Sequence, residues 1–280
     1  MRWTIIRRVV QVIALLIFAV PVLVAGWGLF GMYAPTKDVV PTPAELPFFG
    51  TLASSHLGPL TLMDPFATLQ VIAASKTFAL DWLIGILPLV IFYGLIRGRV
   101  FCGCVCPVNL LLEIVDWIRK KLNLKVEEAP VPRRAKLFIA LGVLVLSALV
   151  SVPVFEVITP LSIINKGIVL GSMVGVITLV AIVLAELFWG HRVWCRSLCP
   201  LGGFYQALGK IGLVNVKIDH DACISCNKCK QACLCDPVIL EPVVGADATQ
   251  SVVLAGDCMA CGKCIDACPT GCLTMGVGRK

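Results

Sequence analysis

Long runs of apolar residues alternate with short polar segments along most of the chain. Four of these runs, at 9–32, 78–96, 137–155 and 168–189, contain almost no charged side chains. About 20 helical residues are enough to cross a hydrocarbon core of about 30 Å. The pattern therefore predicts four membrane-spanning helices. The first is expected to be retained, because it is about twice as long as the apolar core of a signal peptide.

Composition and charge favour the same interpretation. Of 280 residues, 58% are hydrophobic and 15% are charged, whereas about a quarter of the residues in soluble domains are charged. Three basic residues precede the first run, nine lie in 97–136 and nine follow residue 190, which places 21 of 24 on one side. The positive-inside rule then predicts cytoplasmic termini and an outward-facing 33–77 segment. This sorting accounts for the net charge of +7 without nucleic acid.

Eight cysteines near the C-terminus repeat one spacing twice. The two runs are Cys223-x2-Cys226-x2-Cys229-x3-Cys233 and Cys258-x2-Cys261-x2-Cys264-x3-Cys268. This spacing is typical of two 4Fe–4S clusters in which the trailing cysteine of each run binds the other cluster. The predicted ligand sets are Cys223, Cys226, Cys229 and Cys268 for one cluster, and Cys258, Cys261, Cys264 and Cys233 for the other. Structural zinc is the alternative, but two matching four-cysteine runs are unlike zinc-finger spacing.

The first run departs from the usual pattern at its end. Leu234 follows Cys233 where proline is usual, and Cys235 comes next. Cys235 could therefore replace Cys233 as the fourth ligand. We interpret Cys272 as an apolar filler beside a cluster. All 15 cysteines lie in segments predicted to face inward, as expected for a reducing compartment.

A second cysteine motif appears twice in the apolar part of the chain. Arg-Val-aromatic-Cys-x3-Cys-Pro ends the second run with Cys102 and Cys106, and ends the fourth run with Cys195 and Cys199. The repeat predicts a parallel duplication with a pseudo-two-fold axis. Cysteines four apart share a helical face, so the four sulfurs are expected to converge on a third metal site or cluster, or on a redox-active dithiol. The alternative is that they are small residues that ease helix packing, as we expect for Cys104.

Carboxyl groups near the apolar runs are candidates for proton transfer. Glu186 lies near the inner end of the fourth run and Asp81 at the outer end of the second. Ionisable residues at membrane depth are commonly functional. Glu113, Asp116 and Asp64 are further candidates, with a capping or snorkelling role as the equal alternative.

The motifs together resemble those of the NapH/MauN family of ferredoxin-type membrane proteins. The matching features are Phe-Cys-Gly-x-Val-Cys-Pro-Val-Asn at 101–109, Trp-Cys-x3-Cys-Pro-Leu-Gly-x-Phe-Tyr at 194–205, and both cluster runs in order. The resemblance covers nearly the whole chain. It implies the membrane subunit of a quinol dehydrogenase, which passes electrons to a periplasmic iron–sulfur or multihaem cytochrome partner. It also implies a functional role for the paired-motif cysteines.

The sequence thus predicts a membrane α-helical protein with two parts. A four-helix transmembrane bundle is expected at 1–214, and a cytoplasmic α+β domain of the bacterial two-cluster ferredoxin type at 215–280. The expected location is a bacterial inner membrane, and the expected partners there are membrane lipid and the quinone pool. The expected function is oxidation of quinol and electron transfer through the clusters to a respiratory reductase. The alternatives are a copper reductase or assembly factor, in which paired thiolates bind the metal, and a redox-sensing membrane anchor.

Overall fold

A computed structural model describes residues 3–24, 48–50, 54–57, 60–123, 131–160, 176–245 and 248–279. Parts of two predicted spans, 25–32 and 168–175, lie outside these residues, as does 33–47 of the predicted outer segment. The α-helices are α1 (Trp3–Val24), α2 (Pro65–Ser75), α3 (Leu80–Ile96), α4 (Val100–Cys104), α5 (Pro107–Lys121), α6 (Ala135–Val150), α7 (Val154–Ile158), α8 (Val176–Leu184), α9 (Pro200–Leu208), α10 (Lys228–Gln231) and α11 (Lys263–Asp266). The strands are β1 (Phe48–Gly50), β2 (Ser54–Leu57), β3 (Leu60–Met63), β4 (Val214–Ile218) and β5 (Leu273–Val277).

Two of the apolar runs, 78–96 and 137–155, are described throughout, and each contains a helix that is shorter than the run. Helix α3 has 17 residues and α6 has 16. Helix α8 has nine residues before the chain becomes π-helical at Ala185–Trp189. In the part of the chain that the structure describes, no helix has both the length and the apolar character needed to cross a membrane. The predicted four-helix transmembrane bundle is therefore wrong.

Helix α6 ends before its apolar run does, for a local reason. Helix α6 stops where Ser151 adopts a left-handed conformation with φ of 58°, two residues before Pro153. Helix α1 is longer, but its first half carries Arg7 and Gln11, whose side chains are buried and donate to the carbonyl oxygen of Gly103. These polar contacts are made within the protein. The ends of an apolar run therefore do not predict the ends of a helix where the chain turns or packs on polar partners.

The first part of the chain packs around α6 and a group of aromatic rings. Strands β1, β2 and β3 form an antiparallel sheet that leads into α2. Both α2 and α9 pack against α6. The aromatic group lies beside them, with Phe101 stacked on Tyr205 at 5.2 Å between ring centroids and Tyr93 edge-on to both.

The C-terminal part combines strands and helices. Strands β4 and β5 pair antiparallel, with Val216 opposite Met275. The short helices α10 and α11 each follow a cysteine loop. This mixed helix and strand content agrees with the α+β character expected of the C-terminal part.

Two sets of contacts join the parts. The Arg97 guanidinium is fully buried and donates to the carbonyl oxygens of Cys258, at 3.1 Å, and Val253, at 3.0 Å. At the other side, Asp266 of α11 accepts from the backbone N–H of Trp3 on α1 at 2.9 Å. The loop that carries Cys258 is thus fixed to the end of α3.

Backbones approach closely beside Arg97, and glycines make this approach feasible. A Cβ atom at Gly98 would overlap the carbonyl oxygen of Tyr205 and the backbone nitrogen of Gly209. A Cβ atom at Gly256 would overlap the carbonyl oxygen of Gln206. Three segments therefore meet without side chains between them.

We expect Gly98→Ala to lower the free energy of unfolding by about 1–3 kcal/mol, because the added methyl group has no space. Gly142→Ala is the matched control. Gly142 lies on α6, and a Cβ atom added there would have no neighbour within 4 Å, so alanine should be neutral or stabilise by up to about 1 kcal/mol. Urea unfolding followed by circular dichroism measures both. Equal stability of the two variants would contradict the close packing at Gly98.

Candidate iron–sulfur sites

The first cysteine cavity, which we call site A, has an empty volume of about 290 Å³. It is lined by Cys223, Cys226, Cys229 and Cys268. Three of these come from the first cysteine run and the fourth from the second. Cys229 is buried, whereas Cys226 is exposed. The structure thus brings together the crossed set that the sequence predicts for one cluster.

The second cavity, site B, has an empty volume of about 350 Å³. It is lined by Cys258, Cys261, Cys264 and Cys233. Helix α10 carries Cys229 of site A, and helix α11, which contacts α10, carries Cys264 of site B. Site B therefore gathers the other predicted ligand set. It also has Cys235 in its lining.

The two cysteine loops share one backbone conformation. Ser225 and Asn227 have φ of 53° and 56°, and the corresponding Ala260 and Gly262 have φ of 48° and 70°. Alternation of left-handed and right-handed residues turns successive backbone N–H groups toward one point and forms an anion-binding nest, as at many iron–sulfur sites. The loops are therefore shaped for a negatively charged group surrounded by thiolates.

The shared conformation bears on the choice between Cys233 and Cys235. Cys233 N–H donates to the Lys230 carbonyl at 3.1 Å, and Cys268 N–H donates to the Ile265 carbonyl at 3.2 Å. Cys233 thus holds the same position after α10 that Cys268 holds after α11. By this correspondence Cys233, rather than Cys235, matches Cys268 in position, and Cys235 lies beside it in the lining of site B.

Each cluster cavity has one additional cysteine in contact with its neighbours. Cys235 Sγ lies 2.8 Å from the carbonyl oxygen of Asp257 and 3.4 Å from Arg99 Nη1. Cys272 Sγ lies 3.3 Å from Cys268 Sγ at site A. Both additional thiols are buried. They are placed to form hydrogen bonds beside a cluster.

A third cavity lies where the two repeated motifs meet, and we call it the paired-motif cavity. It has an empty volume of about 420 Å³. All four paired-motif cysteines, Cys102, Cys106, Cys195 and Cys199, line it. The remaining lining is mostly apolar and includes Phe101, Val108, Trp194 and Leu201. Cys104 is not among the lining residues.

The local folding of the two motifs differs from the expected single helical face. Cys106 and Cys199 have extended backbones, with ψ of 120° and 114°, and each directly precedes a helix. Pro107 and Pro200 then occupy the first helical position, where a missing N–H costs nothing. The sulfurs converge because the chain turns between the two cysteines of each pair.

The donor sets fit 4Fe–4S clusters. Among the described residues, no three His, Cys, Asp or Glu side chains are arranged to hold a single metal ion. A cubane cluster has different needs, since its four thiolates bind four separate irons and therefore stand further apart. Four cysteines around one cavity, with backbone nests at sites A and B, provide that arrangement.

The structure separates the two predicted proton-handling residues. Glu186 is buried, and its Oε1 accepts from the backbone N–H of Trp194, which lines the paired-motif cavity. Burial raises the pKa of the Glu186 carboxyl to about 7. Asp81 is exposed in the first turn of α3, whose other end leads to Cys102. The two carboxyl groups therefore do not form one site.

Asp64 is a second buried carboxyl near this cavity. Its Oδ1 accepts from the Tyr205 hydroxyl at 3.4 Å, and Tyr205 stacks on Phe101 in the cavity wall. Burial raises the pKa of Asp64 to about 7. Its side chain also caps α2 by accepting from Ala67 N–H at 3.3 Å. Asp64 thus combines a capping role with a position beside the aromatic group.

The other two carboxyl candidates form ion pairs. Glu113 pairs with buried Arg7, and Asp116 pairs with buried Arg192 at 2.8 Å. Burial acts to raise the pKa of both carboxyl groups, but Arg7 lowers the pKa of Glu113, and His191 and Arg192 lower that of Asp116, to below the usual values. Glu113 and Asp116 are therefore held as charged partners of arginine.

Sequence reasoning assigned no role to a group of buried charged residues. Arg97, Arg99, Arg192, Lys136 and Asp257 are each less than 5% exposed. A signal was present, because an arginine precedes Val-aromatic-Cys in both motif copies. The other members have no such marker in the sequence.

Comparison with known proteins supports 4Fe–4S binding by the paired motifs and by the second cysteine run. A 4Fe–4S binding domain model, Fer4_5, matches residues 78–125 and again residues 172–219. Each match contains one copy of the paired motif, in agreement with the proposed duplication. A second 4Fe–4S binding domain model, Fer4, matches residues 252–274. No solved structure matches the chain.

Three relatives match most of the chain. The methylamine utilization ferredoxin-type protein MauN of Paracoccus denitrificans is 33% identical over 92% of this chain and 84% of its own length. MauN of Methylorubrum extorquens is 34% identical over 98% of this chain and 88% of its own length. The ferredoxin-type protein NapH of Escherichia coli is 30% identical over 98% of this chain and 89% of its own length. The chain therefore belongs to the NapH/MauN family of ferredoxin-type 4Fe–4S electron-transfer proteins.

Proposed function

We propose that this protein oxidises a quinol and passes the electrons to a partner iron–sulfur protein or multihaem cytochrome. The observation that carries the proposal is the set of three four-cysteine cavities, together with two buried carboxyl groups, Glu186 and Asp64, next to the paired-motif cavity. Each cluster, when bound, accepts and donates single electrons. Quinol oxidation releases two electrons and two protons, so it needs proton acceptors next to an electron acceptor.

We propose a third cluster in the paired-motif cavity, in addition to those of sites A and B. Four cysteines from two separate segments surround this cavity, as in the other two sites. The family description as a 4Fe–4S binding domain covers both segments. The copper-handling alternative gains no comparable support from the described residues.

Glu186 and Asp64 are the proposed proton acceptors. Each is buried, and each contacts a residue next to the paired-motif cavity. A general base works best when its pKa lies near the operating pH. A pKa of about 7 suits both carboxyl groups to this role.

We propose that exposed apolar helix faces contact membrane lipid and receive the quinol from it. Leu80 of α3, and Phe138 and Leu149 of α6, are each more than two-thirds exposed. Proteins that remain in water rarely expose extended apolar patches of this kind. Location at a bacterial inner membrane stays a prediction.

Site A is the proposed exit to the partner protein. Cys226 is exposed there, and the neighbouring Ile224 is 64% exposed. A small docking surface is sufficient for transient electron transfer.

The number of clusters is tested by anaerobic iron and sulfide analysis. We expect about twelve of each per chain, from four irons in each of three clusters. Cys102→Ala combined with Cys195→Ala should lower both counts by about four. Cys104→Ala is the matched control and should retain about twelve, because Cys104 does not line the cavity. A preparation that contains zinc in place of iron would contradict all three sites.

The fourth ligand of site B is tested by a pair of serine variants. Cys233→Ser should lose or damage the site B cluster, because Cys233 matches Cys268 in position. Cys235→Ser should keep four irons at site B, with a changed electron paramagnetic resonance signal. The reverse result would make Cys235 the ligand.

Quinol oxidation is tested by stopped-flow reduction of the purified protein with menaquinol or ubiquinol. Glu186→Gln should slow cluster reduction at least about tenfold, since general-base catalysis contributes about 100-fold or more. The iron content should stay unchanged. Glu241→Gln makes the same chemical change at an exposed position and should react at the original rate. Unchanged kinetics in both Glu186→Gln and Asp64→Asn would defeat the proposed proton path.

A further inference from the structure

One buried guanidinium lies between the paired-motif cavity and site B. Arg99 is 1% exposed and lines the paired-motif cavity. Its Nη2 donates to the carbonyl oxygen of Cys195 at 2.7 Å. Its Nη1 lies 3.4 Å from the sulfur of Cys235, which lines site B, and 2.9 Å from the carbonyl oxygen of Asp257.

We propose that Arg99 is a positioning residue that raises the reduction potentials of the paired-motif site and of site B. Electrons would then pass directly between these two sites. The part of this inference that concerns the paired-motif site rests on the third cluster of the proposed function. The order of the sites would then be paired-motif site, site B, site A. Asp257 opposes Arg99 in setting the potential of site B.

The argument begins with the charges around Asp257. Its carboxylate contacts Arg99 Nη1 at 3.2 Å and also pairs with Lys136. The side-chain amide of Gln206 donates to Oδ2 at 2.7 Å. Two buried cations thus share one buried carboxylate, which leaves one positive charge in excess.

An excess buried charge is costly unless an opposite charge lies nearby. A cluster bound by four thiolates carries net negative charge, and more of it after reduction. The positive charge therefore stabilises the reduced form more than the oxidised form. Cluster potentials are known to depend on net charge and on hydrogen bonds to sulfur. Arg99 supplies the charge and contacts a sulfur at the edge of site B.

The second motif copy provides an internal comparison. Arg192 corresponds to Arg99 in the repeat and is equally buried. However, it donates to Asp116 Oδ2 at 2.9 Å and to Asn109 Oδ1 at 2.7 Å, both on α5. It shares the Asp116 carboxylate with Arg119, whose Nη2 lies 3.3 Å from Oδ1, and it is not among the residues that line site B. The same motif position has taken different partners in the two copies.

The test is a potentiometric titration of each cluster in the full-length protein, followed by electron paramagnetic resonance. Arg99→Gln should lower the potentials of site B and the paired-motif site and leave site A unchanged. We expect at least a tenfold increase in the oxidised-to-reduced ratio of site B at its original midpoint, which corresponds to about 59 mV for one electron. Asp257→Asn should raise the potential of site B. Arg192→Gln should leave site B unchanged.

Arg99→Gln and Asp257→Asn should shift the site B potential in opposite directions, because they remove opposite charges. General loosening of the structure would not produce shifts of opposite sign. The inference is overturned if Arg99→Gln leaves site B unchanged, or if Arg99→Gln and Asp257→Asn shift it in the same direction. If Arg99→Gln does not accumulate, Arg99→Lys is used instead, because lysine retains the positive charge. The oxidised-to-reduced ratio of site B at its original midpoint should then change by less than about threefold. A larger change of this ratio in Arg99→Lys, or no rise of the site B potential in Asp257→Asn, would then overturn the inference.

Iron content in the same samples separates this inference from the proposed function. If the unsubstituted protein contains eight irons per chain and Arg99→Gln still lowers the potential of site B, the third cluster is absent but the role of Arg99 at site B stands. If the protein contains twelve irons per chain and Arg99→Gln leaves all cluster potentials unchanged, the inference about Arg99 is wrong but the proposed function stands.

Discussion

Burial of the Arg97 guanidinium is the constraint on which the arrangement of the cysteine sites depends. A cation in the protein interior needs acceptors on every side, and Arg97 obtains them from the backbone carbonyls of the loop before Cys258. Leaving a buried polar group without a hydrogen-bond partner typically costs about 1–3 kcal/mol, and more when the group is charged. The loop is therefore held against the end of α3. Site B takes its position from that contact, and the glycines at 98 and 256 allow the backbones to come close enough.

The two motif copies interlock through their arginines. Arg99 of the first copy donates to the carbonyl oxygen of Cys195 in the second, and Arg192 of the second donates to Asn109 and Asp116 beside the first. Each copy thus provides acceptors for the cation of the other. This exchange explains why the four paired-motif cysteines face one cavity.

Cysteine spacing predicted which cysteines line each cavity, because cysteines within one loop are close in sequence. The crossed partners Cys233 and Cys268 followed from the same pattern, since a short helix after each loop carries the fourth cysteine to the other site. Hydrophobic runs predicted the helices less well. They contain no information on where a turn such as that at Ser151 ends a helix. The partners of Arg97 and Arg99 were beyond sequence reasoning, because most of them are backbone carbonyls more than 90 residues away and carry no side-chain signature.

The left-handed residues in the cysteine loops link cluster binding to the lifetime of the protein. Ser225, Asn227 and Ala260 hold a conformation that costs a residue with a Cβ atom roughly 1–2 kcal/mol. Bonds between iron and the cysteines offset this cost only while a cluster is present. Removal of the clusters by oxygen would let both loops relax and would weaken the contacts of α10 with α11. Oxidative damage would then become a folding defect, and proteases could clear the damaged chains before they compete for electrons.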